Sequence, residues 1–156
     1  MRRFAGFAVI ASLALSTGIC AAQTPNLTGT WKLNIEKSRW GKRPKPVSVL
    51  LDIEHKEPMV KYAGRVVDAR EETREFNFSG TIDGKEYPAT TPYGEGKVRL
   101  HRVDERTIRA ELSSEEGKST QVLTTTISRD GRMITRRLRH KGPNGAVSWT
   151  EVYEKQ

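Results

Sequence analysis

Six residues of this 156-residue chain have the types needed to hold and orient a small molecule: Arg136, Glu151, Tyr153, Trp149, Thr125 and Tyr62. Arg136 and Glu151 bring opposite charges, the two tyrosines and Thr125 bring hydroxyls that donate and accept, and Trp149 adds an apolar face with one N–H. Bond-making chemistry has no comparable set. His55, His101 and His140 fall on separate strand-like segments without metal-ligand spacing, so no metal site is expected. The chain has no Gly-x-Ser-x-Gly, P-loop or dinucleotide fingerprint, and Gly94-Glu95-Gly96 is followed by no helix that would complete a phosphate cradle. No catalytic residue and no cofactor are therefore assigned, and the chain is read as a non-enzyme.

Whether the six residues meet depends on the elements that carry them. From Leu27 onward, runs rich in Val, Ile, Thr and aromatics recur about every ten residues between Gly, Pro, Asp and Asn, the pattern of an all-β sandwich or barrel. Strands are expected at 29–34, 47–54, 60–67, 73–78, 97–103, 107–112, 119–128, 133–140 and 147–153, with a shorter one at 85–87. Val47, Val49, Leu51 and Ile53 alternate with Ser48, Leu50, Asp52 and Glu54, which sets one buried and one wetter face. The stretch 36–46 is irregular because Gly41, Pro44 and Pro46 forbid a strand and limit any helix to about a turn. It reads either as a short lid over one barrel end or as a plain basic loop around Lys42-Arg43-Pro44-Lys45.

Hairpin registers bring the polar residues together. A two-residue type I′ turn at Asp130-Gly131 sets Ile127 opposite Ile134, Thr125 opposite Arg136 and Leu123 opposite Leu138. A similar turn at Glu116-Gly117 sets Ala110 opposite Leu123 and Ile108 opposite Thr125. A four-residue loop, Gly142-Pro143-Asn144-Gly145, sets Leu138 opposite Trp149, Arg136 opposite Glu151 and Ile134 opposite Tyr153. The hairpin at Asp104 to Arg106 keeps the Val98/Leu100 phase only with a three-residue loop. A slip by one residue would turn apolar side chains to water, so the registers support one another. They stack into an apolar row, Ala110, Leu123, Leu138, Trp149, and a neighbouring row, Ile108, Thr125, Arg136, Glu151. Burying either charge alone is costly, so Arg136 and Glu151 should meet each other or water. Two readings fit: a polar station that orients a ligand, or a cross-strand ion pair that fills the interior. The first calls for a cavity on the order of several hundred Å³, the second for none.

The N-terminus gives a compartment. Residues 1–22 combine Arg2 and Arg3, an apolar run from Phe4 to Leu15 and small residues at Ala21 and Ala22, the layout of a secretory signal peptide cut after Ala22. Residues 23–27 then form a short linker and 28–156 a single domain. Ile19 is too bulky for a lipoprotein signal at Cys20. Cleavage would remove the single cysteine and leave 25 basic against 19 acidic side chains, a charge of +6. A secreted or periplasmic protein of that charge favours an anionic envelope polymer or membrane surface over nucleic acid. Arg137, Arg139 and Lys141 form a basic face in the opposite phase to Arg136.

Gly29-Thr30-Trp31 near the start of the domain and Val152-Tyr153-Glu154-Lys155 at its end resemble the first and last strands of the calycin superfamily. The likeness is to bacterial exported lipocalin-like proteins and, at both chain ends, to fatty-acid-binding proteins. It implies a single antiparallel up-and-down β-barrel of about 8 to 10 strands, with Trp31 packed across a closed end. It also implies a role for Tyr153 at the ligand. In fatty-acid-binding proteins an Arg two residues before that Tyr helps hold the ligand carboxylate, whereas Glu151 stands there in this chain. Glu151 would repel a carboxylate unless Arg136 dominates. The two-helix lid of that family has no room between Asn34 and Val47. The leading expectation is a monomeric exported barrel that binds a small hydrophobic or amphipathic, lipophilic ligand. The alternative is an envelope interaction module with a filled barrel and a working basic exterior.

Overall fold

The computed structural model describes residues 26–156; the proposed signal segment and cleavage site lie outside the described residues. Ten antiparallel strands follow in chain order: β1 Gly29–Leu33, β2 Ser48–Lys56, β3 Met59–Val67, β4 Thr73–Thr81, β5 Tyr87–Thr91, β6 Gly94–Asp104, β7 Thr107–Ser114, β8 Thr120–Ile127, β9 Met133–Gly142 and β10 Gly145–Lys155. Each pairs with its neighbour in sequence, and β1 closes the barrel by pairing with both β2 and β10. Closure removes every open sheet edge. The expected short strand at 85–87 is displaced to 87–91, where Ala89 packs inward.

Alternation sets the interior. Val49, Leu51 and Ile53 on β2, Val98 and Leu100 on β6, Leu123 and Ile127 on β8, and Ile134 and Leu138 on β9 are all buried. Val47 departs from this phase: it precedes β2 and is exposed. Its N–H still bonds Val67 O at 2.8 Å, so the backbone begins pairing before the side-chain alternation does.

All three registers that place the polar row hold, namely Thr125 with Arg136, Arg136 with Glu151 and Ile108 with Thr125. The β8–β9 and β7–β8 turns, however, are not of type I′. Gly131 and Gly117 have φ of 68° and 67°, and neither Asp130 nor Glu116 joins them at positive φ, which a type I′ turn requires of both central residues. Instead the Gly131 N–H donates to Ser128 O, and the Ser128–Met133 pair closes a four-residue loop. Met133 N–H also donates to Ser128 Oγ at 2.9 Å. Ser114, Gly117 and Ser119 repeat this arrangement, with Ser119 N–H to Ser114 Oγ at 3.1 Å. Either loop preserves the register, because two residues added symmetrically leave the same partners opposite. At the β9–β10 turn Gly142 pairs with Gly145, leaving Pro143-Asn144 as the loop. The β6–β7 hairpin keeps Leu100 opposite Ala110 by a register shift between Arg102 and Asp104, which throws Val103 outward.

One end of the barrel is sealed by Trp31, which is fully buried and donates its indole N–H to Leu27 O at 2.8 Å. At the other end the irregular segment from 34 to 47 is anchored at three points. Ser38 Oγ accepts Val152 N–H, Arg39 and Thr150 exchange two backbone hydrogen bonds of 2.8 Å, and Trp40 is buried. Only residues 41–46 are left to lean over the opening.

Candidate functional site

The polar row turns inward at mid-barrel. Glu151, on β10 opposite Arg136 on β9, is buried, and its two carboxylate oxygens are both engaged. Oε1 accepts the Trp149 indole N–H at 2.7 Å, and Oε2 accepts the Tyr153 hydroxyl at 2.8 Å. These donors lie two residues to either side on the same strand face, so strand periodicity alone aims all three side chains into one space. Arg136 Nη1 stands 3.7 Å from Glu151 Oε2, an ion pair too long for a hydrogen bond. Its guanidinium carbon is 5.7 Å from the centre of the Tyr153 ring.

Burial raises the Tyr153 pKa well above that of a free tyrosine, with Glu151 adding to the effect, so Tyr153 stays a neutral donor. Burial likewise raises the Tyr62 pKa, against an opposing effect of Arg136. For Arg136 burial favours the neutral form, yet Tyr153 and Glu151 outweigh it and the pKa rises. The station therefore sets the Arg136 guanidinium and neutral phenols around the Glu151 carboxylate.

A cavity of about 140 Å³ runs from this station to the end covered by residues 41–46. Its walls include Val49, Val66, Phe76, Leu112, Leu123 and Leu138, and Trp149, Glu151, Tyr153, Tyr62 and Arg136 all reach it. A second, almost wholly apolar cavity of about 50 Å³ lies toward the sealed end and is lined by Thr125, Ile108 and Ile134 among others. Tyr62, Leu123 and Arg136 line both, and so form the constriction between them. The interior is not filled, but at about 140 Å³ the larger cavity falls short of the several hundred Å³ that a ligand-orienting station called for; a dry cavity of roughly 150 Å³ takes a benzene-sized guest.

All six residues singled out in the sequence thus border the interior, five at the larger cavity and Thr125 at the deeper one. Sequence reasoning missed Phe76, Tyr93 and Arg43. Phe76 was legible in the alternation Arg74, Phe76, Phe78, Gly80 along β4. Gly64 opposite it has no side chain, and the Phe76 ring occupies the space a Cβ would need. Tyr93 and Arg43 carry no strand period that could reveal them. Arg43 lies over the Trp149 ring, 4.1 Å from its centre, and its Nη2 donates to Tyr93 Oη at 2.6 Å. This bridge crosses the mouth from the 41–46 segment to the β5–β6 turn, which favours the lid reading of that segment over a plain loop.

The histidines lie apart from the station, except that the His140 ring borders the mouth beside Tyr93 at 6.5 Å. His55 is buried near the sealed end, where its Nδ1 accepts Leu27 N–H at 3.1 Å and its Nε2 faces Glu57 Oε1 at 3.1 Å.

No protein-family model matches the chain, and no curated protein does. Solved structures do share its fold. A Schistosoma mansoni fatty acid binding protein in complex with arachidonic acid superposes with a TM-score of 0.57 at 13% identity, covering 86% of this chain and 98% of that one. The zebrafish ileal bile acid-binding protein complexed with cholic acid gives 0.56 at 14% identity, covering 83% and 98%. The Rv2717c protein of M. tuberculosis gives 0.55 at 16% identity, covering 83% and 92%. At such identities the likeness establishes the fold, a closed ten-strand barrel of fatty-acid-binding-protein type within the calycin architecture.

Proposed function

We propose that this chain is a non-enzymatic carrier that binds a small hydrophobic or amphipathic molecule inside the barrel. The observation that carries the reading is the cavity of about 140 Å³ with largely apolar walls and a buried charged station, Arg136 with Glu151, at its inner end, Arg43 and Glu95 also lining it. Apolar walls supply affinity by removing ligand surface from water, and a few convergent polar groups fix orientation. Two of the structural neighbours were solved with a hydrophobic acid bound, which supports the class of ligand without naming it. The basic start and apolar run of residues 1–22 support export, with the mature protein secreted or periplasmic. N-terminal sequencing of protein recovered outside the cytoplasm should begin at Gln23.

Native mass spectrometry of protein purified from its own host is the direct test, with a retained small molecule as the expected result. A bare protein whose Trp149 fluorescence ignores lipophilic dyes would remove the carrier reading.

A second reading rests on the outer face. Arg137, Arg139 and Lys141 are exposed along β9 and have no acidic partner among the described residues. Thr124 and Thr150 flank Arg137, and Ser148 flanks Arg139, so hydroxyls border the cations. Such a face suits an anionic envelope polymer, and binding to acidic polysaccharide that weakens steeply with salt would support it.

A further inference from the structure

The carboxylate at position 151 decides what kind of head group the cavity accepts. Trp149 and Tyr153 donate to its two oxygens at 2.7 and 2.8 Å, so both oxygens already serve as acceptors within the protein. Its charge is balanced by Arg136, so the station is electrically neutral before any ligand enters. A ligand carboxylate placed against Arg136 would lie beside Glu151 and leave one negative charge uncompensated in an enclosed space. A ligand ammonium meets the converse objection at Arg136.

Hydrogen-bond donors, by contrast, are in excess. Arg136 carries five N–H donors, and the carboxylate facing it at 3.7 Å is beyond hydrogen-bonding range. Across the barrel on β3, the Tyr62 hydroxyl has no protein acceptor among the described residues. Its ring is held between Phe76 and Phe78, with centroids 6.0 and 5.5 Å away, which fixes where the hydroxyl points. Both residues border both cavities, which places both side chains at the constriction. A donor left unpaired in a dry site is costly, and an acceptor brought by a guest relieves that cost.

We infer that the ligand is an uncharged amphiphile whose carbonyl or hydroxyl oxygen accepts hydrogen bonds from Arg136 and Tyr62 at the constriction, with Glu151 excluding carboxylates. This rests on the carrier reading and narrows it to a chemical class. The apolar end of such a molecule has two directions open to it, into the deeper pocket or along the larger cavity toward Trp149.

Titration calorimetry at neutral pH with octanamide, octanoate and butylbenzene tests the inference, since the three probes share an apolar body and differ in head group. Octanamide should bind the native protein about tenfold more tightly than octanoate, which is ionised at that pH. Tyr62→Phe should weaken octanamide about fivefold and leave butylbenzene unchanged, because it removes one hydroxyl and little shape. Glu151→Gln should narrow the gap between octanamide and octanoate. Octanoate binding as tightly as octanamide to the native protein would overturn the inference while leaving the carrier reading intact. Failure of all three probes to bind would count against the carrier reading itself and take the inference with it. Because the ranking is measured on the native protein, a Glu151→Gln variant that fails to fold does not blunt the test.

Discussion

At the sealed end of the barrel the contacts that hold Leu27, Thr28 and Trp31 run to the backbone, whereas the bridge across the mouth runs between side chains. Leu27 gives its carbonyl to the Trp31 indole and its N–H to His55, and the Thr28 hydroxyl exchanges bonds of 3.0 and 3.1 Å with the His55 backbone. Across the mouth, the ties that the described residues show from residues 41–46 to the β5–β6 turn and to Trp149 are the Arg43 bond to Tyr93 and the placement of Arg43 over the Tyr93 and Trp149 rings. Backbone-directed bonds cannot be released without moving the chain, while a long arginine can swing away by rotamer changes. The contrast assigns stability to one end and exchange with solvent to the other. Substitutions at the two ends should therefore be felt in different measurements.

The largest effect is expected from Trp31→Ala. It would empty the most deeply buried large side chain of the seal and strand the Leu27 carbonyl, at a cost of about 3–5 kcal/mol. Urea denaturation should show that loss, while the preference among head groups in any variant that still folds should be unchanged. A loss of under about 1 kcal/mol would mean that the seal is not the rigid end.

His55 comes next. Because Nδ1 accepts the Leu27 N–H, the ring must stay neutral with its proton on Nε2 toward Glu57. Burial, and then the charge of Arg102, hold its pKa below the ordinary histidine value, with Glu57 the one acid facing it. The unfolded chain thus binds a proton more readily than the folded one between that lowered pKa and about 6.5. The His55 contribution should be complete above the unfolded value and decline as pH falls through this window. His55→Leu should cost about 1–3 kcal/mol by orphaning the Leu27 N–H, and should flatten this part of the stability profile. Denaturation midpoints at a series of pH values check both, and an unchanged slope would remove His55 from the seal.

The two ends also differ in how far the sequence foretold them. Registers were legible because β7 to β10 carry apolar residues in matching phases, and a slip would have exposed Leu123, Leu138 and Trp149 together. The same pattern delivered Arg136, Glu151 and Tyr153 to one space, and Trp31 could be placed through its motif. The loop geometry at Gly117 and Gly131 was not legible, since a tight turn and a four-residue loop of equal phase leave identical partners. Nor could periodicity reveal that Glu151 spends both oxygens on its own strand neighbours, because that depends on side-chain reach. Arg43 sits in a segment with no repeating pattern, where proline and glycine say only what the chain cannot form. Its partners, Tyr93 and Trp149, both lie far along the chain from it, Tyr93 by 50 residues and Trp149 by about twice that.

Arg43→Ala should have the smallest effect on stability and the clearest effect on kinetics. Arg43 is only half-buried, and its contacts to Trp149 and Tyr93 are contacts of a surface cation, each worth about 0.5–1 kcal/mol. The segment that carries it would keep its anchors at Ser38, Arg39 and Trp40, so the fold has no reason to change. What would change is the barrier at the mouth: a guest leaving the larger cavity passes the Arg43 bridge, and without it release of octanamide should quicken about fivefold. Stopped-flow following Trp149 fluorescence measures that rate. Tyr93→Phe, which removes the hydroxyl and keeps the ring, should give a smaller increase in the same direction. An equal acceleration of entry and release would leave affinity nearly unchanged and identify the bridge as a gate. Loss of affinity with unaltered entry would instead make Arg43 part of the binding site, and the mouth would then resemble the station at mid-barrel more than a lid.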